Sequence, residues 1–268
     1  MTRLRDRGPS IHMITFEKEK TMNTRMQKLL LSTLFLSLCA SMGLAQSSAD
    51  YNKVEFYGGY SRAELPSNIK TVIIDGSPIA PCTSDGANTL GKNFQNFFCK
   101  RRGFNGFDTS ITYNFTRYFG IKGNVTGHYK SDRFVDTFGA VTDTINSKER
   151  LYNFLAGVQV KDNGKAGRFK PFAHALVGVA RQPVTQVQTS AQSASDNFTT
   201  KDNAKSFAMK LGGGIDVRVN RKVDIRLVEF DYNPIFTGDY NTTGAPFSIS
   251  QKAKTAHNFT IGAGIVIH

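Results

Sequence analysis

The residues with chemical potential are few. Past residue 45 the 268-residue chain has four histidines, His128, His174, His257 and His268. A hydrolytic set needs a hydroxyl nucleophile, a His base and an orienting carboxylate within hydrogen-bond reach. His128 with Ser131 and Asp132 comes nearest, but three common residues in a polar stretch form no recognised motif and read as loop decoration. No catalytic residue and no cofactor are therefore expected. Cys82 and Cys99 lack a His or carboxylate at ligand spacing, so no metal site is expected there. In an oxidising compartment they would instead form a disulfide, closing a ring worth about 3 kcal/mol on the chain-entropy estimate. The remaining reactive groups are charges, Lys122, Lys210, Asp216, Arg226 and Glu229, which either line an ion path or pair with one another.

The oxidising compartment follows from the N-terminal region. Arg25 and Lys28 precede the apolar run Leu29 to Leu38, and small residues lead to Gly43-Leu44-Ala45. A basic segment, a short apolar core and a small-x-small end make an export signal, cleaved between Ala45 and Gln46. A buried helix would be apolar on one face only, whereas this run is apolar all round. Leu36-Ser37-Leu38-Cys39 approaches a lipidation box, but a large Leu stands before the Cys where a small residue is wanted. Residues 1–21 read as a dubious or disordered upstream extension, with Met22 or Met26 as the start, and residues 22–45 as the signal peptide. Residues 46–52 form a short N-terminal segment and 53–268 the folded domain. With residues 1–45 removed, 27 Lys+Arg stand against 18 Asp+Glu, a net charge of +9. Export and the scatter of these charges argue against nucleic acid, leaving anionic lipid headgroups or solvated loops.

Eight runs with period-two alternation must position these groups. They are Lys53–Arg62, Phe104–Phe115, Tyr118–Lys130, Arg150–Lys161, Phe169–Arg181, Ser206–Val219, one starting at Val223, and Thr255–Ile267. Most are apolar on one face and polar on the other. Tyr118–Lys130, for example, sets Phe119, Ile121, Val125 and Tyr129 against Lys122, Asn124, Thr126 and His128. In the fifth run both faces are apolar, so its outward face is not assigned. In the seventh, parity slips after Leu227, predicting a β-bulge near Leu227-Val228 that turns Glu229 and Asp231 inward.

The connections alternate between roughly forty, twenty, twenty-four and twenty-two residues on one side and about two, seven and three on the other. That asymmetry predicts an all-β fold, an eight-stranded antiparallel up-and-down transmembrane β-barrel with long extracellular loops and short periplasmic turns. Eight strands leave a lumen that side chains largely fill. Lys122, Lys210, Asp216, Arg226 and Glu229 are accordingly expected to pair as a charge network that plugs it. Tyr60, Tyr118, Phe119, Tyr129, Tyr152 and Tyr232 suit interfacial girdles. A soluble barrel with an apolar interior fits less well, because Lys210/Asp216 and Arg226/Glu229 lie opposite continuous apolar stripes.

Val54-Glu55-Phe56-Tyr57-Gly58-Gly59-Tyr60, Lys210-Leu211-Gly212-Gly213-Gly214-Ile215-Asp216, the segment Val223 to Tyr232 and the Gly-rich last strand resemble the eight-stranded outer-membrane barrel superfamily that includes the OmpA transmembrane domain and OmpX-like proteins. The resemblance implies residence in the outer membrane and an insertion signal on the last strand read by the barrel assembly machinery. Phe259, Ile261, Ala263, Ile265 and Ile267 match that signal, while His268 departs from the aromatic ending. Expected partners are outer-membrane lipid and lipopolysaccharide, the assembly machinery and an unknown extracellular ligand, with the protein a monomer. The leading role is structural or surface-interacting and non-catalytic. A small porin-like channel and a lipid A-modifying barrel enzyme, which the superfamily also contains, are the alternatives.

Overall fold

The computed structural model describes residues 51–66, 72–74, 77–80, 82–84, 95–96, 99–138, 141–164, 167–190, 197–238, 240–242, 247–251 and 254–268. The expected upstream extension, signal peptide and Ala45/Gln46 cleavage site lie outside these residues. Eight strands close one antiparallel barrel: β1 (Val54–Leu65), β2 (Arg102–Asn114), β3 (Phe119–Phe138), β4 (Val141–Lys161), β5 (Phe169–Ser190), β6 (Phe198–Arg218), β7 (Val223–Thr237) and β8 (Lys254–Ile267). Each pairs with its sequence neighbours, and β1 pairs with β8 to complete the ring, Phe56 opposite Ile267 and Glu64 opposite Phe259. Lipid offers no partner for a free N–H or C=O, and closure removes every such edge within the membrane. No helix among the described residues is long and apolar enough to cross a membrane.

The expected alternation sets the faces. Ile121, Phe154, Val158, Phe207, Phe230, Ile261 and Ile265 are exposed on the outer wall, whereas Lys122, Asn124, Asn153, Gln159, Lys210 and Thr260 are buried in the lumen. The fifth strand, unassigned from sequence, turns Phe169, Val177 and Val179 outward and Lys170, Phe172, His174 and Leu176 inward. The slip in β7 falls where expected. Gly262 pairs with Glu229 but Gly264 with Arg226, and Ile215 pairs with Val228 but Asp216 with Arg226. Leu227 and Val228 are both exposed, and beyond them Glu229 and Asp231 are buried.

Two of the four expected long loops are largely strand. β3 and β4 continue as a hairpin to Phe138 opposite Val141, leaving only residues 139–140 between them. β5 and β6 pair to Gln188 opposite Phe198. Segments such as Gln182 to Ser190 carry no apolar stripe, because neither face touches lipid, so periodicity in hydrophobicity disappears while the backbone still pairs. Their Val and Thr content favours extended chain. The other two connections also contain strands. Val72–Ile74, Ser77–Ile79, Tyr240–Thr242 and Phe247–Gln251 form a four-stranded sheet that joins the first connection to the last. Within the first connection Cys82 and Cys99 form a disulfide, with Cα atoms 5.4 Å apart.

The opposite end is compact. At the β2–β3 and β4–β5 turns Arg117 donates to both Asp162 oxygens, at 2.7 and 3.0 Å, and holds that carboxyl well below its usual range, at about 2. Gly167 in the β4–β5 turn has φ +98°, a conformation open to Gly at little cost. Lumen glycines serve another purpose. Gly212 and Gly214 face His174 and Phe172 across the β5–β6 pair, small opposite large. A Cβ at Gly212 would meet the Asp231 carboxylate and the Phe230 carbonyl. Gly212→Val should therefore lower barrel stability by about 1–3 kcal/mol through overpacking, read as earlier loss of heat-modifiable gel mobility. Gly238→Ala, where a Cβ would meet nothing within 4 Å, should leave that midpoint unchanged.

Candidate functional site

The lumen is stratified. From the turn end upward, β5 presents Lys170, Phe172, His174, Leu176 and Ala180, and β7 presents Asp224, Arg226, Glu229, Asp231, Asn233 and Ile235, all buried. Charges occupy the lower half, amides and hydroxyls follow, and an apolar layer lies above them.

The lower tier holds all five residues expected from sequence. Arg226 donates through Nε and Nη2 to the two Asp216 oxygens at 2.8 and 3.1 Å, and through Nη1 to Glu229 at 2.7 Å. Its guanidinium is sandwiched between the Tyr57 and Phe172 rings, 4.1 and 4.0 Å from their centroids. A planar cation with a forked donor array is suited to both contacts at once. Lys122 approaches Glu229 at 3.6 Å, and Lys210 bonds Asp108 at 2.8 Å and lies 3.2 Å from Asp231.

The pairs extend beyond the expected five. Lys161 joins Glu55 at 3.0 Å and Asp216 at 2.8 Å, and Lys170 lies 3.3 Å from Asp224. His268, the residue that breaks the aromatic ending of the last strand, sits at the bottom of the lumen with Nε2 2.9 Å from Asp224 and Nδ1 3.6 Å from Glu55. Glu55, Asp108 and Asp224 are buried on the same inward parity of their strands. What sequence cannot supply is the partner, since Lys161 on β4 reaches Glu55 on β1 across the lumen.

Above the charges, Asn153 Nδ2 donates to Thr126 Oγ1 at 3.0 Å and to Asn233 Oδ1 at 3.2 Å, and Ser61 Oγ lies 2.9 Å from His128 Nε2. Over them Phe104, Leu151, Leu155, Leu176, Ala208 and Ile235 form one buried cluster. Higher still, Arg102 bonds both oxygens of Glu149, at 2.5 and 2.8 Å. The apolar layer was not expected, because inward Leu and Phe residues blur the very contrast that marks a strand's faces.

The nearest approach to a hydrolytic set does not assemble. His128 is buried in the lumen against Ser61, Ser131 is exposed, and Asp132 pairs with Lys130 at 3.2 Å. His174, Glu229 and Asp231 could offer ligand atoms within 4.8 Å of one another. Lys122 Nζ, 3.2 Å from His174 Nδ1, and Lys210 already supply the positive charge there.

Removing one member of such a network strands the others. Arg226→Met should leave the buried Asp216 and Glu229 carboxylates short of their main partner, destabilising the barrel by about 3–5 kcal/mol. Arg226→Met with Glu229→Gln should recover part of that loss. The measurement is the urea midpoint of the refolded barrel, and a neutral single substitution would show the network to be dispensable.

Direct comparison with characterised sequences gives no match. Among solved structures, the chain is similar to the attachment invasion locus protein Ail of Yersinia pestis in complex with the heparin analogue sucrose octasulfate, at 12% identity and TM-score 0.39, covering 81% of this chain and 100% of that one. It is similar to OprG of Pseudomonas aeruginosa at 11% identity and TM-score 0.39, covering 82% and 97%. For the outer membrane protease OmpT of Escherichia coli the values are 9% and 0.42, covering 82% and 99%. Residues 31–265 match the family described as outer membrane protein beta-barrel domain. The closed antiparallel barrel agrees with that description, and the chain belongs to this family of outer-membrane barrels.

Proposed function

We propose that this outer-membrane barrel is a non-catalytic, non-conducting scaffold whose work is done at the cell surface. The observation that carries the reading is the stratified lumen. An ion following the lower charges would meet Arg226 clamped between two rings and then the layer built on Phe104, Leu151, Leu176 and Ile235. Passing a hydrated ion through that layer would require stripping its water with no replacement ligand.

What the barrel carries outward supports the same view. On β5 the outward apolar series ends at Val179, yet the strand runs on to Ser190, roughly 35 Å farther along the strand at about 3.3 Å per residue. The surface role thus passes from loops to a paired sheet made of the upper parts of β3 to β6. That sheet is the surface that meets an extracellular ligand. Lipid and lipopolysaccharide around the wall, delivery by the barrel assembly machinery and a monomeric state complete the reading. Phe259, Ile261, Ile265 and Ile267 stand exposed on β8, where a machinery that reads alternate side chains would find them.

In planar bilayers the purified barrel should show no steady conductance, and the double variant Leu151→Ser with Ile235→Ser should introduce one. Large stable currents from the unaltered protein would overturn the reading. Lipid A from cells with and without the protein should give the same acyl pattern by mass spectrometry, whereas a changed pattern would assign an enzyme instead.

A further inference from the structure

The upper parts of β3 to β6 segregate charge by face. Pairing places Tyr152 opposite Arg181, and Arg181 opposite Lys205. Tyr129 lies opposite Arg150, Ser131 opposite Lys148, and Thr185 opposite both Lys148 and Lys201. Parity therefore puts Arg133, Lys148, Arg150, Arg181, Lys201 and Lys205 on the outward face, and all six are exposed. Glu149, Asp132 and Asp202 lie on the inner face, Glu149 buried and the two Asp half-buried. Among the described residues the ion pairs of this region, Arg102–Glu149 and Lys130–Asp132, are likewise on that inner side.

The height of the outward cations is fixed by the lipid-facing wall. On β4 the outward series Val160, Val158, Ala156, Phe154, Tyr152 is followed at once by Arg150. On β5 Val177 and Val179 are followed by Arg181, and on β6 Leu211, Met209 and Phe207 by Lys205. Tyr129 and Tyr152 pack edge to face, centroids 5.8 Å apart, at this border, as interfacial aromatics do. The cations thus begin where hydrocarbon ends, at the level of the headgroups. On the far side of the barrel the outward cations are already engaged within the protein: Arg62 bonds Glu64 at 2.8 Å, and Arg101 donates to the Glu64 and His257 carbonyls and lies over the Phe259 ring, while Asn105 on β2 is neutral.

Like charges directly opposite one another across a sheet repel. Arg181 and Lys205 are so placed, and Arg181 is further held by donating Nε to Asn203 Oδ1 at 2.8 Å. Such an arrangement is stable when an anion sits between them. We propose that this outward face is a binding site for the phosphates of the outer leaflet's anionic glycolipid, with Arg150, Arg181 and Lys205 at headgroup height and Lys148, Lys201 and Arg133 above them. A guanidinium fork engages two phosphate oxygens at once, which orients the lipid as well as attracting it. The site rests on the reading of the projecting sheet as the working surface and gives that surface a defined ligand chemistry.

The test uses the folded, full barrel in zwitterionic micelles, titrated with bisphosphorylated lipid A and with the same lipid after phosphatase treatment. The phosphorylated form should bind about tenfold tighter or better, and the preference should weaken as salt rises, as screened charges require. The triple variant Arg150→Gln, Arg181→Gln, Lys205→Gln should lose the preference. Arg168→Gln, Arg221→Gln, Lys222→Gln at the turn end should retain it. If the first triple fails to show heat-modifiable mobility, Arg150→Gln and Arg181→Gln singly carry the test, with a loss of about threefold or more each. An unchanged preference, or an equal loss in the turn-end control, overturns the proposal. So does inositol hexakisphosphate binding as tightly as the lipid and displacing it, which would make the face a reader of soluble phosphates. Thr144→Cys labelled on whole cells by a membrane-impermeant thiol reagent keeps the surface reading separate. Labelling with failed lipid binding overturns the site alone, and absence of labelling overturns both.

Discussion

The lumen of an eight-stranded barrel is too narrow for bulk water, and that constraint governs the rest of the molecule. Inward polar groups must find their partners among one another, because no solvent will serve. Arg226, Asp216 and Glu229 meet the condition with a bidentate pair and a third hydrogen bond. Lys161 and Lys210 meet it by each bridging two carboxylates. The outer wall obeys the complementary rule: it is built of apolar and aromatic side chains, and the outward Thr109 spends its hydroxyl on the Tyr57 carbonyl. One chain satisfies both because successive residues alternate between the two environments.

This alternation explains what was legible in the sequence. Wherever one face met lipid and the other met the polar tier, as in β3 and β6, strand and orientation could be read directly. The bulge at Leu227-Val228 was readable for the same reason, since a slip of one residue shows as apolar side chains changing parity. Legibility failed where the two environments stopped differing. In β5 the inward Phe172 and Leu176 belong to ring packing and the apolar layer, so both faces looked alike. Above Tyr129 and Val179 both faces are polar, and paired strand passed for loop.

The candidate site was legible in membership but not in pairing. Parity turns Glu55, Asp108 and Lys210 inward, yet the stagger of the closed sheet decides that Lys210 reaches Asp108 and that Lys161 reaches Glu55. The surface charge was visible as a net excess but not as a patch. Only the register between Tyr152, Arg181 and Lys205 gathers it on one side.

The closing seam lies where β1 meets β8, and the contact between Arg226 and Tyr57 passes behind it. Tyr57 is on β1 and Arg226 on β7, with β8 between them, and the small residues Gly262 and Gly264 lie beneath the tyrosine ring. A Cβ at Gly264 would come within 2.8 Å of Tyr57 Cε2. The seam is thus fastened twice, by backbone hydrogen bonds along its length and by an internal latch that skips over the final strand. A barrel built this way resists being unzipped sideways into the membrane, because parting β1 from β8 also means drawing a buried cation off an aromatic face.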